Sequence, residues 1–242
     1  MPHCLKTIDV AILAGGLGTR ISHVLKDTPK ILAPVGGRPF LDVLLEWLTG
    51  FGVKRVLLGL GHLAGAVIGH LEESSRHDIE VVAVVEPEPL GTAGAVRFLR
   101  PHIKSDPVLV INGDSFVDAD LCAFVSTHAQ SGAEASMLCA EVDDTARYGL
   151  VEVAENGMVR GFVEKQSTGP APGLINAGAY LFSAAMLSRI ESSDGRSLER
   201  DIFQAAPPGV IHAMRGRFPF IDIGTPESLG AASKVVMACL KR

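Results

Sequence analysis

The stretch Asp9-Val10-Ala11-Ile12-Leu13-Ala14-Gly15-Gly16-Leu17-Gly18-Thr19-Arg20 decides how the chain reads. Its apolar opening, residues 9–13, has the length of a buried strand, and it runs directly into a glycine string. Gly15, Gly16 and Gly18 allow the main chain to curl until several N–H groups face one point, which makes a nest for an anion. Arg20 adds a planar, permanently charged fork, and Lys30, ten residues on and behind Pro29, adds a compact point charge. Taken singly, each cation reads as surface charge on a turn. The spaced string as a whole reads as a cradle for a triphosphate.

Working outward, the first half alternates strand and helix. Residues 39–48 carry Phe40, Leu44, Trp47 and Leu48 at helical spacing, with Pro39 in the first turn and Gly50 or Gly52 as the stop. Strands are predicted over 53–59, 79–85 and 107–111, with helices over 63–71 and 93–99 between them. That alternation predicts a parallel sheet with helices on both faces. The second half changes character: strands over 135–142, 149–153, 159–164 and 175–182 have few helices between them, and Asn156-Gly157 marks a hairpin. Helices follow over 184–191 and 198–205, then a strand over 218–223 and a closing helix over 226–240. The expectation is one Rossmann-like α/β domain spanning 1–242, with a mixed, mostly parallel sheet. Residues 1–115 form its nucleotide-binding half, and 116–242 form a smaller β-rich portion and the closing helix.

Composition narrows the function classes. Of 242 residues, 47% are hydrophobic and 20% charged, which excludes a disordered chain. A net charge of −5 and only 5% aromatic residues argue against a nucleic-acid partner, which needs a basic footprint or stacking platforms. The apolar runs are too short to span a bilayer, and the opening residues lack the basic and apolar regions of a secretory leader, so a cytoplasmic protein without a membrane partner is expected. The four cysteines, Cys4, Cys122, Cys139 and Cys239, are scattered, so neither a zinc site nor anything beyond buried thiols is expected.

Two other glycine signals compete with the first. Gly59-Leu60-Gly61-His62-Leu63-Ala64 follows a strand and precedes a helix, with Glu80 about twenty residues on, as a dinucleotide fingerprint requires. It follows the second strand rather than the first, which favours a plain strand-to-helix turn. A P-loop string is absent from the sequence, which removes that class of ATPase.

The string Leu13 to Arg20 with Pro29-Lys30 downstream resembles the signature of the sugar-1-phosphate nucleotidyltransferases. The resemblance extends in order along nearly the whole chain: Glu86-Pro-Glu-Pro-Leu-Gly-Thr-Ala-Gly94, Asn112-Gly113-Asp114, Glu164-Lys165, Ile175-Asn-Ala-Gly-Ala179 and Phe220-Ile-Asp-Ile-Gly-Thr225. It implies attack by a sugar 1-phosphate oxygen on the α-phosphorus of a nucleoside triphosphate, with pyrophosphate leaving. Leu13, Ala14, Gly15, Gly16, Gly18, Thr19, Arg20, Lys30, Glu86, Glu88, Gly91 and Thr92 would then hold the nucleotide. Asn112, Gly149, Glu164, Lys165 and Asn176 would hold the sugar phosphate. Asp114 and Asp222 would hold Mg²⁺, and with Arg20, Lys30 and Lys165 they form the expected catalytic set. A lone Asp after a strand is more often a cap. Two, each inside a motif, favour a metal.

Base and sugar follow less directly. Guanine presents two adjacent N–H donors, which one ionised carboxylate can accept together. Glu86 and Glu88 therefore lean the reading toward GTP, unless both face solvent. Length, the stretch Gly36-Gly-Arg-Pro-Phe-Leu41 and the ending Phe220 to Glu227 are most similar to the branch that guanylylates D-glycero-α-D-manno-heptose 1-phosphate for bacterial surface glycans. Mannose 1-phosphate guanylyl and N-acetylmuramate 1-phosphate uridylyl branches are the alternatives, and a non-catalytic nucleotide-sugar binder is the alternative from another class. A monomer or homodimer is expected.

Overall fold

The computed structural model describes residues 3–74, 78–163 and 171–240. The elements in chain order are β1 (Val10–Ala14), α1 (Ser22–Leu25), β2 (Pro34–Val35), β3 (Arg38–Pro39), α2 (Phe40–Thr49), β4 (Arg55–Leu60), α3 (Ala64–Glu73), β5 (Glu80–Val85), α4 (Gly91–Leu99), β6 (Val108–Asn112) and β7 (Ser115–Val117). They continue with α5 (Leu121–Ser131), β8 (Ala135–Val142), β9 (Leu150–Val153), β10 (Val159–Val163), β11 (Gly173–Phe182), α6 (Ala184–Glu191), β12 (Ile211–Gly216), β13 (Phe220–Asp222) and α7 (Pro226–Leu240).

Among the described residues nine strands share one mixed sheet whose main path runs β10-β9-β11-β6-β1-β4-β5. The expected parallel block is β6-β1-β4-β5. The long strand β11 then joins antiparallel to β6 and to β8, and β12 lies parallel to β8. Both faces are covered, and residue alternation along β1 and β6 divides the core: Val10, Ile12, Leu109 and Ile111 pack on one side, Ala11, Val108 and Val110 on the other. Trp47 of α2 meets Phe116 edge-on at 5.4 Å, tying the first cluster to β7.

This strand order places β1 between β4 on one side and β6 on the other. The chain winds outward from β1 in one direction and returns to its other flank, which makes the carboxyl end of β1 the switch point where an open α/β sheet leaves a crevice. The glycine string sits at that point.

Three expectations need correction. The second half contains an eleven-residue helix, α5, and a strand, β12, that periodicity did not reveal. The start and stop of α5 are nonetheless written in the chain: Asp120 Oδ1 accepts from Cys122 N and Ala123 N, and Gly132 ends it at φ +67°. The helix expected over 198–205 is instead a π-helical turn over Leu198–Phe203. Cys4 and Cys122 are not free thiols. The fold brings their Cα atoms to 5.4 Å across a separation of 118 residues, and they are joined as a disulfide. Cys139 is a buried thiol, and Cys239 is partly buried. Among the described residues no helix is long and apolar enough to cross a membrane.

Candidate active site

The carboxyl ends of β1, β4 and β6 meet through glycines. A Cβ on Gly61 would lie 2.5 Å from the Gly15 carbonyl oxygen, and one on Gly113 would lie 2.8 Å from that of Leu13. The fingerprint-like turn at Gly59–Ala64 is therefore a packing device that presses on the phosphate-type loop. Glu80 lies at the opposite end of β5, paired with Arg55 at 3.4 Å and far from any ribose the turn could present. The sequence pattern was real, but its cause was close backbone approach.

A cavity of about 520 Å³ opens over this junction. Leu13, Ala14, Gly15, Gly16, Gly18, Thr19, Arg20, Lys30, Glu86, Gly91 and Thr92 line it, as do Asn112 and Asp114. Glu88 does not: it is exposed, in a neighbouring depression beside Arg97 and Arg196. Glu86, by contrast, stands at the carboxyl end of β5 and is 7% exposed. Its carboxylate abuts Gly15 and accepts from Leu90 N at 3.2 Å. Burial raises its pKa above the ordinary value, and the Leu90 N–H works against that rise.

A second cavity of about 340 Å³ shares Arg20, Asn112 and Asp114 with the first and adds Gly149, Asn176 and Asp222. It sits where β11 is irregular. Between Asn176 and Tyr180 the register with β8 shifts, Gly178 takes φ +73°, and Asn176 Oδ1 accepts from Gly178 N at 2.9 Å. The Asn176 amide also donates to Tyr180 OH at 2.8 Å, and Tyr180 in turn donates to Glu199 at 3.4 Å. Asn112 Oδ1, between the cavities, is buried with no hydrogen-bond partner among the described residues. It is an acceptor waiting in the wall.

The two aspartates meet through a short ladder. In the β7–β13 pair Asp222 lies opposite Ser115, and Ile223 N donates to the Asp114 carbonyl at 2.8 Å. Lys30 Nζ lies 2.5 Å from Asp114 Oδ2, and Ser115 Oγ donates to Oδ1 at 3.0 Å. Asp222 accepts from Tyr148 OH at 2.6 Å, from Gly224 N at 2.9 Å, and from Arg147 Nη2 at 3.1 and 3.0 Å to its two oxygens. A Cβ on Gly224 would sit 2.7 Å from Asp222 Oδ1 and 3.5 Å from both Arg20 Nη2 and Lys30 Nζ. Arg20, Lys30 and Asp222, with Asp114 through Lys30, thus ring one point where the cavities join.

Two hard carboxylates at a phosphate-type loop suit an ion that takes its remaining ligands from water and phosphate, as Mg²⁺ does. Among the described residues no cluster of three or more acidic, His or Cys side chains forms a closed metal cage. Glu164 and Lys165 lie outside the described residues. Sequence reasoning missed Arg147, Tyr148, Arg196, Glu199 and Arg200, which also line the two cavities. The neighbour of Gly149 offered one hint for Tyr148, but the others carry no pattern of their own.

The fold thus sets a glycine loop at the switch point of the sheet, facing a cavity that carries a pair of carboxylates. Residues 10–238 match the nucleotidyl transferase family, and the chain belongs to it. It is 32% identical to the D-glycero-alpha-D-manno-heptose 1-phosphate guanylyltransferase of Campylobacter jejuni over 89% of this chain and 94% of that one. It is 30% identical to the mannose-1-phosphate guanylyltransferase of Mycobacterium tuberculosis, with 91% of this chain covering 62% of that protein's length. The crystal structure of HddC from Yersinia pseudotuberculosis superposes with a TM-score of 0.84 at 35% identity, covering 94% and 98% of the two chains, and HddC has also been solved in complex with GMP-PN.

Proposed function

We propose that this chain joins a nucleoside triphosphate, with GTP favoured, to a sugar 1-phosphate, with D-glycero-α-D-manno-heptose 1-phosphate favoured, releasing pyrophosphate. The observation that carries the reading is the convergence of Arg20, Lys30, Asp114 and Asp222 where the two cavities meet. Two polyanions must come together for this reaction, so the site needs positive charge and alignment rather than a covalent nucleophile.

In this reading the main chain of residues 13–19, Arg20 and Lys30 hold the triphosphate, with Gly91 and Thr92 at the opposite wall. Arg20 and Lys30 draw charge toward the departing pyrophosphate. Asn112, Gly149 and Asn176 face the sugar, and family resemblance adds Glu164 and Lys165. An ionised phosphate oxygen of the sugar 1-phosphate attacks the α-phosphorus in line, and the bond to the pyrophosphate oxygen breaks. No general base is required. Asp114 and Asp222 would hold Mg²⁺, which when bound withdraws charge from the reacting phosphates. We propose in addition that the product serves a bacterial surface glycan and that the reaction runs in the cytoplasm.

The guanine preference rests on Glu86, the one carboxylate of the pair that reaches the cavity wall, and on the guanylyltransferases among the similar proteins. Mannose 1-phosphate is the second reading, favoured by the Mycobacterium tuberculosis relative. The test is a pyrophosphate-release panel crossing GTP, ATP, UTP and CTP with heptose, mannose, glucose and N-acetylmuramate 1-phosphates. GTP with heptose 1-phosphate should give the highest kcat/KM. A folded chain that releases pyrophosphate with no pair would overturn the reading.

A further inference from the structure

Both oxygens of Asp222 are engaged by protein groups. Both of its oxygens take Arg147 Nη2, Oδ2 also takes Tyr148 OH, and Oδ1 also takes Gly224 N. Asp114 is different. Lys30, only 16% exposed, reaches it from the nucleotide side and is itself part of the first cavity's wall. Arg147 reaches Asp222 from the other side, as a wall residue of the second cavity, with its side chain 42% exposed.

Arg147 is poised to move without the backbone. Its loop is anchored one turn earlier, where Thr145 is buried and bonds the Ala171 carbonyl through both N (3.0 Å) and Oγ1 (2.9 Å). Tyr148 N donates to the Thr145 carbonyl at 2.9 Å, which fixes the far side. Among the described residues the guanidinium bonds through Nη2, on the carboxylate and on Ser228 Oγ at 3.5 Å, and its Cζ lies 5.5 Å from the Tyr148 ring centroid. This is not the two-nitrogen fork that makes an arginine–carboxylate pair strong. The pair is therefore a weak, solvent-reachable one.

A divalent ion on Asp222 competes with the guanidinium for that carboxylate. The two positive charges would lie within a few ångströms of each other, and the ion needs the lone pairs that Nη2 now occupies. We propose that Arg147 is a latch. It occupies the Asp222 carboxylate in the empty site, yields it to the divalent ion, and turns its freed guanidinium into the second cavity to bind the sugar-phosphate group. This rests on the metal and substrate reading above and adds a residue to it. Because the same side chain faces either the carboxylate or the incoming phosphate, metal and sugar phosphate tighten one another's binding, and linkage requires the effect to be reciprocal.

The test compares the unaltered chain, Arg147→Gln and Arg147→Lys. Free Mn²⁺ is followed by electron paramagnetic resonance, with and without sugar 1-phosphate, and steady-state constants are measured beside it. Without substrates, Arg147→Gln should bind Mn²⁺ about threefold more tightly, the size expected when a weak competing ion pair is removed. Its KM for sugar 1-phosphate should rise about tenfold, the loss of one charge-assisted contact, with KM for the nucleotide within about twofold. Mutual tightening of Mn²⁺ and sugar phosphate should disappear in Arg147→Gln and return in part in Arg147→Lys. Unchanged or weaker Mn²⁺ binding by Arg147→Gln would overturn the latch, as would an unaltered sugar-phosphate KM. A chain that binds Mn²⁺ but turns over no sugar phosphate would defeat the proposed function alone, because the substrate-free isotherms still read the latch. Absence of Mn²⁺ binding by the unaltered chain would overturn both.

Discussion

The two cavities are built by different means. Around the first, glycine main chain lines the switch point: Gly15, Gly16, Gly18, Gly91 and Gly113 are in its wall, and a Cβ on Gly61, Gly91 or Gly113 would meet neighbouring backbone. Around the second, the wall is side chains on separate elements: Arg147 and Tyr148 before β9, Asn176 on β11, Glu199 on the π-helical turn, Asp222 on β13. A main-chain wall is suited to a ligand whose phosphates are common to all nucleotides. A side-chain wall is suited to a ligand whose hydroxyls differ from one sugar to the next. If that division is right, substitutions in each region should fall on different kinetic constants, and only the residues at the junction should fall on both.

The junction gives the largest expected effect. Asp114→Asn and Asp222→Asn should each lower pyrophosphate release by roughly two to three orders of magnitude, the scale of losing one charge-stabilising group in a transition state. Both should keep an unaltered circular dichroism spectrum, since each side chain lies in a solvent-reachable cavity. A residual rate near that of the unaltered chain would detach the carboxylates from the chemistry. Next comes Gly61→Ala, which touches neither ligand. Its Cβ would meet the Gly15 carbonyl at 2.5 Å, so the loop must shift. A displacement near 1 Å costs about a hundredfold in turnover efficiency toward the nucleotide. The sugar-phosphate KM should hold, and equal damage to both constants would contradict the division.

The same contrast explains what the sequence made legible. A main-chain wall is written in contiguous letters, because only glycine permits it, and the run from Leu13 to Arg20 announced both a strand and its loop. Most of the parallel block was readable for a related reason: β1, β4 and β6, largely buried on both faces, show as apolar runs. The side-chain wall was partly readable through Asn176 and Asp222, each inside a recognisable string. Arg147 and Glu199 were not, because a charged residue on a loop looks alike whether it faces solvent or a cavity until the strands around it are paired. The Gly59–Ala64 turn shows the converse hazard, a contiguous pattern whose cause was packing against Gly15. Helix α5 was missed although Asp120 and Gly132 bracket it, since its buried face of Leu121, Phe124 and His128 carries a histidine where an apolar residue would mark the period.

In the second region, Asn176→Ala removes an amide that bonds both Gly178 N and Tyr180 OH, leaving the latter with Glu199 alone. The expected result is a roughly tenfold higher KM for sugar 1-phosphate, the worth of one or two hydrogen bonds to a ligand, with the nucleotide KM unmoved. An unaltered sugar constant would remove Asn176 from the wall's recognition role.

The smallest effect belongs to Glu86, the side chain that makes the main-chain region selective. Glutamine keeps one acceptor for Leu90 N and for guanine but loses the second, so Glu86→Gln should narrow the preference for GTP over other nucleotides by a factor of about three to ten. Stability supplies an independent check. Burial raises the Glu86 pKa in the folded chain, so the folded state holds the proton more firmly than the unfolded one. The charged carboxylate then costs stability at neutral pH, and the cost fades as pH falls through the raised folded value toward and below the ordinary carboxylate range. Glu86→Gln should therefore melt at a higher temperature than the unaltered chain at pH 7, with the advantage shrinking on acidification. In the same window GTP affinity of the unaltered chain should decline while that of Glu86→Gln stays level. A melting advantage independent of pH would mean that the substitution acts through packing against Gly15 and not through the buried charge.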